Sequence, residues 1–350
     1  MTSISYAELQ AFTRAVLDKA GLDAFSADSV TTGLCETSLR GVDSHGIRLL
    51  PHYVDSALSG RKNPKPNFMF KRTFPAMGLL DADNGFGHAA GMKAIDHGIE
   101  MAKETGIGAV GVANSSHPGA MASFALKAAR QGYMAFAFTH ADSLLLSYGG
   151  TRAYFGTNPI CFAAPREEEE PFCLDMAPSA IPWNRLLMHR ADDKPLPAGV
   201  AADAHGNETT NAGSAASLMP VGGTAAGYKG VGIASMVEVL CGVFTGMAFG
   251  HAIPAMFTTS MAEQRHLGQF YMVMRTDGGI DAGTFRAHLQ QMSEEVRAEP
   301  ARPGEQVLLA GDKEIREAAR RRQGGIPLDK PTAAALKKLA ERFDISLRHS

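Results

Sequence analysis

Within Gly41-Val42-Asp43-Ser44-His45-Gly46-Ile47-Arg48, a hydroxyl, an imidazole and a guanidinium fall inside five residues. An imidazole moves protons near neutral pH and an arginine grips a carboxylate through two parallel hydrogen bonds, so the set suits proton transfer on a small acid. Gly41 can end one helix and Ser44 or Asp43 can cap the next, with Ile47, Leu50, Val54 and Leu58 as its buried stripe. On such a helix His45 and Arg48 share the first turn, where free N–H groups and a partial positive charge favour a carboxylate. An ordinary capped helix with a surface histidine and arginine has the same spacing.

Other polar groups stand where α/β loops place them. Asn114-Ser115-Ser116-His117-Pro118-Gly119 follows an apolar strand and precedes a helix, which makes His117 a second candidate for proton transfer. Thr157, in the turn Gly156-Thr157-Asn158-Pro159, can donate to a substrate. Asp175, ending Leu174-Asp175-Met176-Ala177, suits a ribose hydroxyl or a strand-end cap. Lys229 precedes a long apolar helix, a place for a phosphate or simply for a solvated lysine. Gly106-Ile107-Gly108-Ala109-Val110-Gly111 matches G-x-G-x-x-G by letter, but it ends a helix and opens a strand, the reverse of a dinucleotide fingerprint. Gly85 to Gly91 lies between strand and helix with a spacing one residue too long, and Tyr228 interrupts any Walker A loop before Lys229.

The chain of 350 residues has room for about two domains. Its 45% hydrophobic and 20% charged residues are ordinary for a globular protein, and a net charge of -2 gives no reason to expect nucleic acid. No signal peptide and no apolar run of about 20 residues is visible, so neither secretion nor a membrane is expected and the cytoplasm is. Cys35, Cys161, Cys173 and Cys241 show no C-x-x-C pairing and read as core, and no metal site is expected.

Ser5-Tyr6-Ala7-Glu8 is a capping box opening a helix to Ala20, and a second helix is expected over Ser26 to Arg40. Lys62 to Pro66 reads as a linker or turn. Strands are then expected at 77–80, 107–112, 133–139, 160–164 and 270–274, with helices at 91–104 and 120–131. The glutamate run 167–170 reads as a solvated loop, 206–227 as a long surface loop, and 231–249 as a helix buried almost all round. Helices at 282–298, 314–323 and 333–343 finish the chain, so the fold class is α/β with helical ends.

Taken in order, Arg40-Gly41 with Ser44-His45-Gly46, Ser116-His117, Gly156-Thr157-Asn158-Pro159, Leu174-Asp175-Met176-Ala177 and Tyr228-Lys229-Gly230 resemble the motifs of the malate/L-lactate dehydrogenase-like family. That group includes ureidoglycolate and sulfolactate dehydrogenases, diketogulonate reductase and piperideine-2-carboxylate reductase, and the resemblance runs over nearly the whole chain. It implies a homodimer with a non-Rossmann nucleotide-binding α/β domain built on a mixed sheet, residues 73–277. A helical domain formed by both chain ends, 1–72 and 278–350, would complete it. The implied activity is hydride transfer between NAD or NADP, NAD slightly favoured, and C2 of a small 2-hydroxy or 2-oxo acid. Reduction of a cyclic imine acid and a nucleotide-binding protein without catalysis are the alternatives.

By the same resemblance His45, Ser44 and His117 are the catalytic candidates, with His45 and His117 rivals for the proton. Arg48, Thr157, Trp183 and Asn184 would face the substrate, although Arg48 stands three residues after His45 where the family often has four. His117, Pro118, Gly119, Ala120, Met121, Asp175, Met176, Ala177, Lys229, Ala310, Gly311 and Asp312 would contact the cofactor. Ala141 stands where relatives can carry a serine, with Ser143 close by, and Ala310 replaces a common proline. Arg320, Arg321 and Arg322 would serve a 2'-phosphate if they lay near the site.

Overall fold

The computed structural model describes residues 2–347. Its centre is a sheet of seven strands in the order Met69–Phe74, Met77–Asp81, Ile107–Ser115, Leu267–Arg275, Tyr133–Thr139, Ile160–Ala164 and Phe172–Met176. Met77–Asp81 runs parallel to Ile107–Ser115, joined through the helix Gly87–Thr105, and the other neighbouring pairs are antiparallel. The sheet is mixed, as expected, and it begins at Met69, ahead of the domain boundary expected at residue 73.

The helices Gly87–Thr105 and Ala122–Ala129 cover one face, over a core that includes Val110, Val112, Phe124, Ala135 and Tyr271. Gly106 ends the first of these helices in the left-handed region (φ 82°), and the glycine run turns the chain directly into the strand Ile107–Ser115. The helix Gly223–Glu238 and its π-turn continuation Val239–Val243 cover the other face, through Val237 and Cys241 against Phe138 and Phe270.

That helix departs from the expectation of burial all round. Val239, Val243 and Phe244 are 53%, 56% and 47% exposed, because one side lies on the sheet and nothing among the described residues covers the other. The stretch Gly223–Val243, kinked at Ala226, is long and apolar enough by length and composition alone to match a bilayer span, a match that a core helix packed on a sheet also meets.

A second core gathers both chain ends. The helices Tyr6–Lys19 and Ala24–Leu39 bring Leu9, Phe12, Val16, Val30 and Leu34 together with Ile326, Leu328, Leu336 and Leu339 from the far end. Thr2–Ile4 pairs antiparallel with Ile326–Leu328, fixing one end to the other. The capping box forms: Glu8 N–H donates to Ser5 Oγ at 3.2 Å. The second helix begins at Ala24, two residues before its expected start, and Asp23 caps it, accepting from Ser26 N–H at 3.0 Å.

Two polar segments are more structural than expected. Glu169 receives Arg297 at 2.8 and 2.9 Å, so the glutamate run is tied down by an arginine from the helix Ala282–Ala298. In the stretch 206–227, Ala212, Ala215 and Leu218 are buried, Ser217–Leu218 pairs with Ala201–Ala202 and Leu145, and a helix already starts at Gly223. The four cysteines are free and buried.

Candidate active site

Between the helical core and the sheet lies a cavity of about 1390 Å³. Ser44, His45, His117, Thr157, Trp183 and Asn184 line it, as do Gly119 to Ser123, Cys173 to Ala177 and Leu308 to Gly311. Residues far apart in sequence thus meet in one cleft.

Ser44 and His45 arrive by a route other than the expected helix cap. Asp43 to His45 and Ile47 to Leu49 form two 3₁₀ turns, and the α-helix begins only at Leu50. Both candidate caps are engaged elsewhere: Asp43 accepts Arg321 at 2.6 and 2.8 Å, and Ser44 Oγ meets His45 Nδ1 at 2.8 Å. Ser38 Oγ takes the Ile47 N–H at 2.8 Å, and Gly46 holds an extended backbone there. Arg321 also donates to Ser38 O at 2.6 Å, so an arginine from the helix Asp312–Gly324 fixes the turn that presents Ser44 and His45. Asn184 Nδ2 donates to Ser44 O at 2.9 Å, which makes Asn184 a support for that turn as well as a wall of the cleft.

His117 follows the strand Ile107–Ser115, where Ser116 Oγ accepts Gly87 N–H at 3.0 Å and donates to Gly85 O at 2.9 Å. The glycines at 85–87 therefore allow close packing against the His117 loop. At Gly119 (φ 76°) a Cβ would stand 2.6 Å from His88 Nε2, so only glycine fits the turn after the histidine.

The rings of His45 and His117 stack, 5.7 Å between centroids and 22° between planes. Each has its own hydroxyl partner, since Tyr53 Oη meets His117 Nδ1 at 2.8 Å. Burial and then the charge of Arg48 push His45 down to about 4. His117 is held well below the usual histidine range by burial, then by His45, Lys62, Arg265 and His88. Both rings are neutral at pH 7, each with a free nitrogen or an N–H to offer.

Thr157 is placed by Asn158, whose Nδ2 donates to Ala234 O at 2.9 Å and to Glu238 at 2.7 Å, while its Oδ1 accepts Ala141 N–H at 3.1 Å. Glu238, the one acidic residue on the helix Gly223–Glu238, thus anchors this wall. Ser143 lines the cleft with its hydroxyl spent on Tyr154 O at 2.6 Å.

Along the rest of the cleft Asp175 accepts Ala122 N–H at 2.8 Å. Desolvation, with Glu314 adding, lifts its carboxyl to about 6 although it stays open to the cleft. Opposite, Ala310, Gly311, Lys313 and Glu314 line the cleft at the start of a helix that no side chain caps. An ionised carboxylate for ribose hydroxyls, beside a helix N-terminus and a lysine for a diphosphate, fits a dinucleotide.

Several expected site residues lie elsewhere. Lys229 is exposed and does not line the cleft, its Nζ 6.0 Å from the Tyr228 ring, although the helix Gly223–Glu238 is kinked at Ala226 and restarts just before the lysine. Asp312 faces away from the cleft, pairing with Arg297 at 2.7 Å and accepting Leu309 N–H at 2.9 Å, which shapes the loop. Pro118 and Arg48 do not line the cavity, and Arg48 acts on His45 only through its charge. Arg320 and Arg321 are paired with Glu317, and neither lines the cleft. Tyr53, Asp142 and Arg265 were missed by sequence reasoning. No motif or spacing marks Tyr53 as the partner of His117, and Asp142 with Arg265 is an ion pair spanning 123 positions.

Buried neutral histidines have a consequence for stability. His88 and His140 are each 1% exposed and held down to about 3 by burial. The unfolded chain, with histidines near 6.5, takes up these protons first as pH falls. Their contribution is therefore intact above pH 6.5 and is lost towards pH 3, about 1.4 kcal/mol per pH unit for each. Thermal melts should show Tm dropping below about pH 6.5, with a shallower slope in His88→Gln.

Against known proteins, the family model described as malate/L-lactate dehydrogenase matches residues 4–337. A malate dehydrogenase of Pyrococcus horikoshii is 33% identical over 344 residues, 96% of this chain and 94% of that protein. The ureidoglycolate dehydrogenase (NAD(+)) of Escherichia coli K12 is 34% identical over 303 residues, 86% of this chain and 85% of that one. The crystal structure of malate dehydrogenase from Entamoeba histolytica superposes with a TM-score of 0.93 at 27% identity, covering 99% of both chains. With that match over most of its length, and a cleft built from its own motif residues, the chain belongs to the malate/L-lactate dehydrogenase family.

Proposed function

We propose that the protein transfers a hydride between a nicotinamide nucleotide and C2 of a small 2-hydroxy or 2-oxo acid. The observation that carries this reading is the stacked pair of neutral histidines, each on a hydroxyl, at the wall of a cavity large enough for a dinucleotide and a small acid together. When bound, the nicotinamide supplies the hydride chemistry, and Asp175, the Gly119 to Ala122 turn and the Ala310 to Glu314 helix start would hold the nucleotide.

The chain's own part is to hold both reactants together and move one proton at the C2 oxygen. In the oxidative direction a neutral His45 accepts the proton of the substrate hydroxyl, with Ser44 Oγ on Nδ1 fixing the ring. In reduction the same imidazole must first gain a proton, which a bound carboxylate beside it favours. Thr157 would donate to the substrate. The expected signature is a reduction rate that rises as pH falls below 7 and an oxidation rate that holds until pH nears 4 and falls there.

We propose NAD rather than NADP because Glu36, Glu305 and Glu314 line the cleft, carboxylates that would repel a 2'-phosphate, while Arg320 and Arg321 are paired elsewhere. A homodimer is supported by the uncovered apolar side of the helix Gly223–Val243, and light scattering of the purified protein tests it. The two cores support one unit built mainly from both chain ends and another from the middle of the chain, with Phe86, Ala89 and Met256 of the middle packed into the first and the sheet starting at Met69. Four free thiols support a reducing compartment, the cytoplasm.

The test is the reduced-nicotinamide absorbance band, with NADH and NADPH run separately against pyruvate, oxaloacetate, glyoxylate, 3-sulfopyruvate and piperideine-2-carboxylate. Loss of absorbance with one oxo acid supports the reading, and loss with the cyclic imine alone assigns the site to imine reduction. Binding of nucleotide with no turnover on any of them favours a protein that has lost catalysis.

A further inference from the structure

The end of the cleft around the histidine pair differs in chemistry from the end around Asp175. Leu49, Leu144, Trp183, Ile253, Met256 and Phe257 line it. Leu49 ends the 3₁₀ turn after His45, and Trp183 precedes Asn184, whose amide holds Ser44 O at 2.9 Å. Leu144 follows Ala141, whose N–H donates to Asn158 Oδ1 next to Thr157. The segment from Ile253 to Phe257 is brought to the same place from two sides. Gly250 N–H donates at 2.7 Å to Glu238, the carboxylate that also holds Asn158, and the Phe257 ring lies 5.3 Å from that of His52, which precedes Tyr53. Phe257 is 55% exposed, an apolar ring with much of its surface uncovered.

Among the described residues, the lysines and arginines that line the cavity are Arg40 and Lys313, and both belong to the other end. Arg40 acts on Asp175 and stands 3.8 Å from Glu170, and Lys313 is in the first turn of the helix Asp312–Gly324. Behind the histidines the basic groups are already committed. Arg265 pairs with Asp142, and Arg61 donates to the carbonyls of Ala255, Met256 and Glu263. Burial, then Arg265 and Arg61, holds the Lys62 amine well below the usual lysine range. Arg152 and Arg185 are exposed and do not line the cavity. Arg48, acting on His45, provides one positive charge, which matches the C1 carboxylate. A second anion on the substrate would meet apolar side chains and Asp142. Burying that anion unpaired is costly, whereas a hydrocarbon side chain gains by leaving water.

We propose that the substrate is a 2-oxo or 2-hydroxy monoacid whose side chain is uncharged, apolar and about the size of that of leucine or phenylalanine. The proposal rests on the hydride-transfer reading for the reaction at C2, which is unchanged. In reduction C2 gains the hydride, the C2 oxygen gains the His45 proton, and the side chain takes no part. Acids that carry a second anion, such as oxaloacetate and 3-sulfopyruvate, are poor substrates. Pyruvate is a slow one, because its methyl group covers little of the apolar wall.

The first test needs no turnover. N-isobutyloxamate and N-oxalylglycine are unreactive 2-oxo acid mimics of similar length, one with a hydrocarbon tail and one with a second carboxylate. Each is titrated into the full chain with NADH and read by calorimetry, while the emission of Trp183, the chain's one tryptophan, places the ligand at this end. The hydrocarbon mimic should bind at least about 100-fold more tightly. In turnover, 4-methyl-2-oxopentanoate should exceed oxaloacetate in kcat/KM by about 100-fold and pyruvate by at least about tenfold. Phe257→Arg puts a cation on this wall at an exposed position, and should lower the preference for the hydrocarbon mimic by about tenfold or more. Equal or tighter binding of N-oxalylglycine, or fastest reduction of oxaloacetate or 3-sulfopyruvate, would overturn the proposal and leave hydride transfer standing. An unchanged preference in Phe257→Arg would overturn the assignment of the side chain to this wall. The expected binding preference with no NADH oxidised by any acid would overturn the hydride-transfer reading and support the apolar side chain.

Discussion

His45→Asn should lower kcat by about 10²- to 10⁴-fold, the range that a positioned acid or base supplies, with nucleotide affinity nearly unchanged. Asparagine keeps a polar group near Ser44 Oγ but cannot take or give the proton. His117→Asn should also be slow, because it removes both the stacked partner of His45 and the hydrogen-bond partner of Tyr53. The pair is separated by pH dependence. If His45 moves the proton, His45→Asn loses the acid limb of the profile, whereas His117→Asn keeps it with a shifted midpoint. Near-full turnover in His45→Asn would move the proton-transfer role to His117.

The second large effect is expected at Arg61, which is 2% exposed. Its guanidinium donates to Met256 O at 2.8 Å, Glu263 O and Ala255 O at 3.0 Å each, and Thr259 Oγ1 at 2.9 Å. One side chain thus holds the segment whose residues Ala255 to Thr258 line the cleft. Arg61→Met leaves several buried carbonyls unpaired, and such losses cost about 1–3 kcal/mol apiece before relaxation. We expect a net destabilisation of about 3–5 kcal/mol, measured by urea denaturation, and a KM for the acid raised more than kcat is lowered. A loss of under about 1 kcal/mol would mean that the segment is held by its other contacts.

Much of the fold was legible because the periodicities are local. The strands at 133–139 and 160–164 and the helix at 282–298 follow their hydrophobic patterns to the residue. The site motifs were legible for a related reason: Ser44-His45, His117, Thr157 and Asp175 sit at element ends, where composition marks turns before any packing is considered.

What escaped depends on contacts across the chain. The helix expected at Ser44 gives way to 3₁₀ turns because Arg321, some 280 positions away, takes Asp43 and Ser38. Lys62 to Pro66 looked like a linker because its prolines set the local reading, yet Arg61 and Lys62 are buried by the cleft wall and by Tyr53. The helix after Lys229 was read as wholly buried because composition shows how apolar a helix is and not which neighbour covers each side. Lys229 was placed at the cleft by its motif alone, and it does not line the cavity.

The most direct test of hydride transfer is isotopic. NADH carrying deuterium on both faces of C4 is incubated with the wild-type protein and each acid of the panel, and the product is analysed by mass spectrometry and NMR. One deuterium on C2 of the 2-hydroxy product, absent in His45→Asn at equal time, is the predicted result. Nucleotide oxidised with no label at C2, or no acid reduced at all, would contradict it.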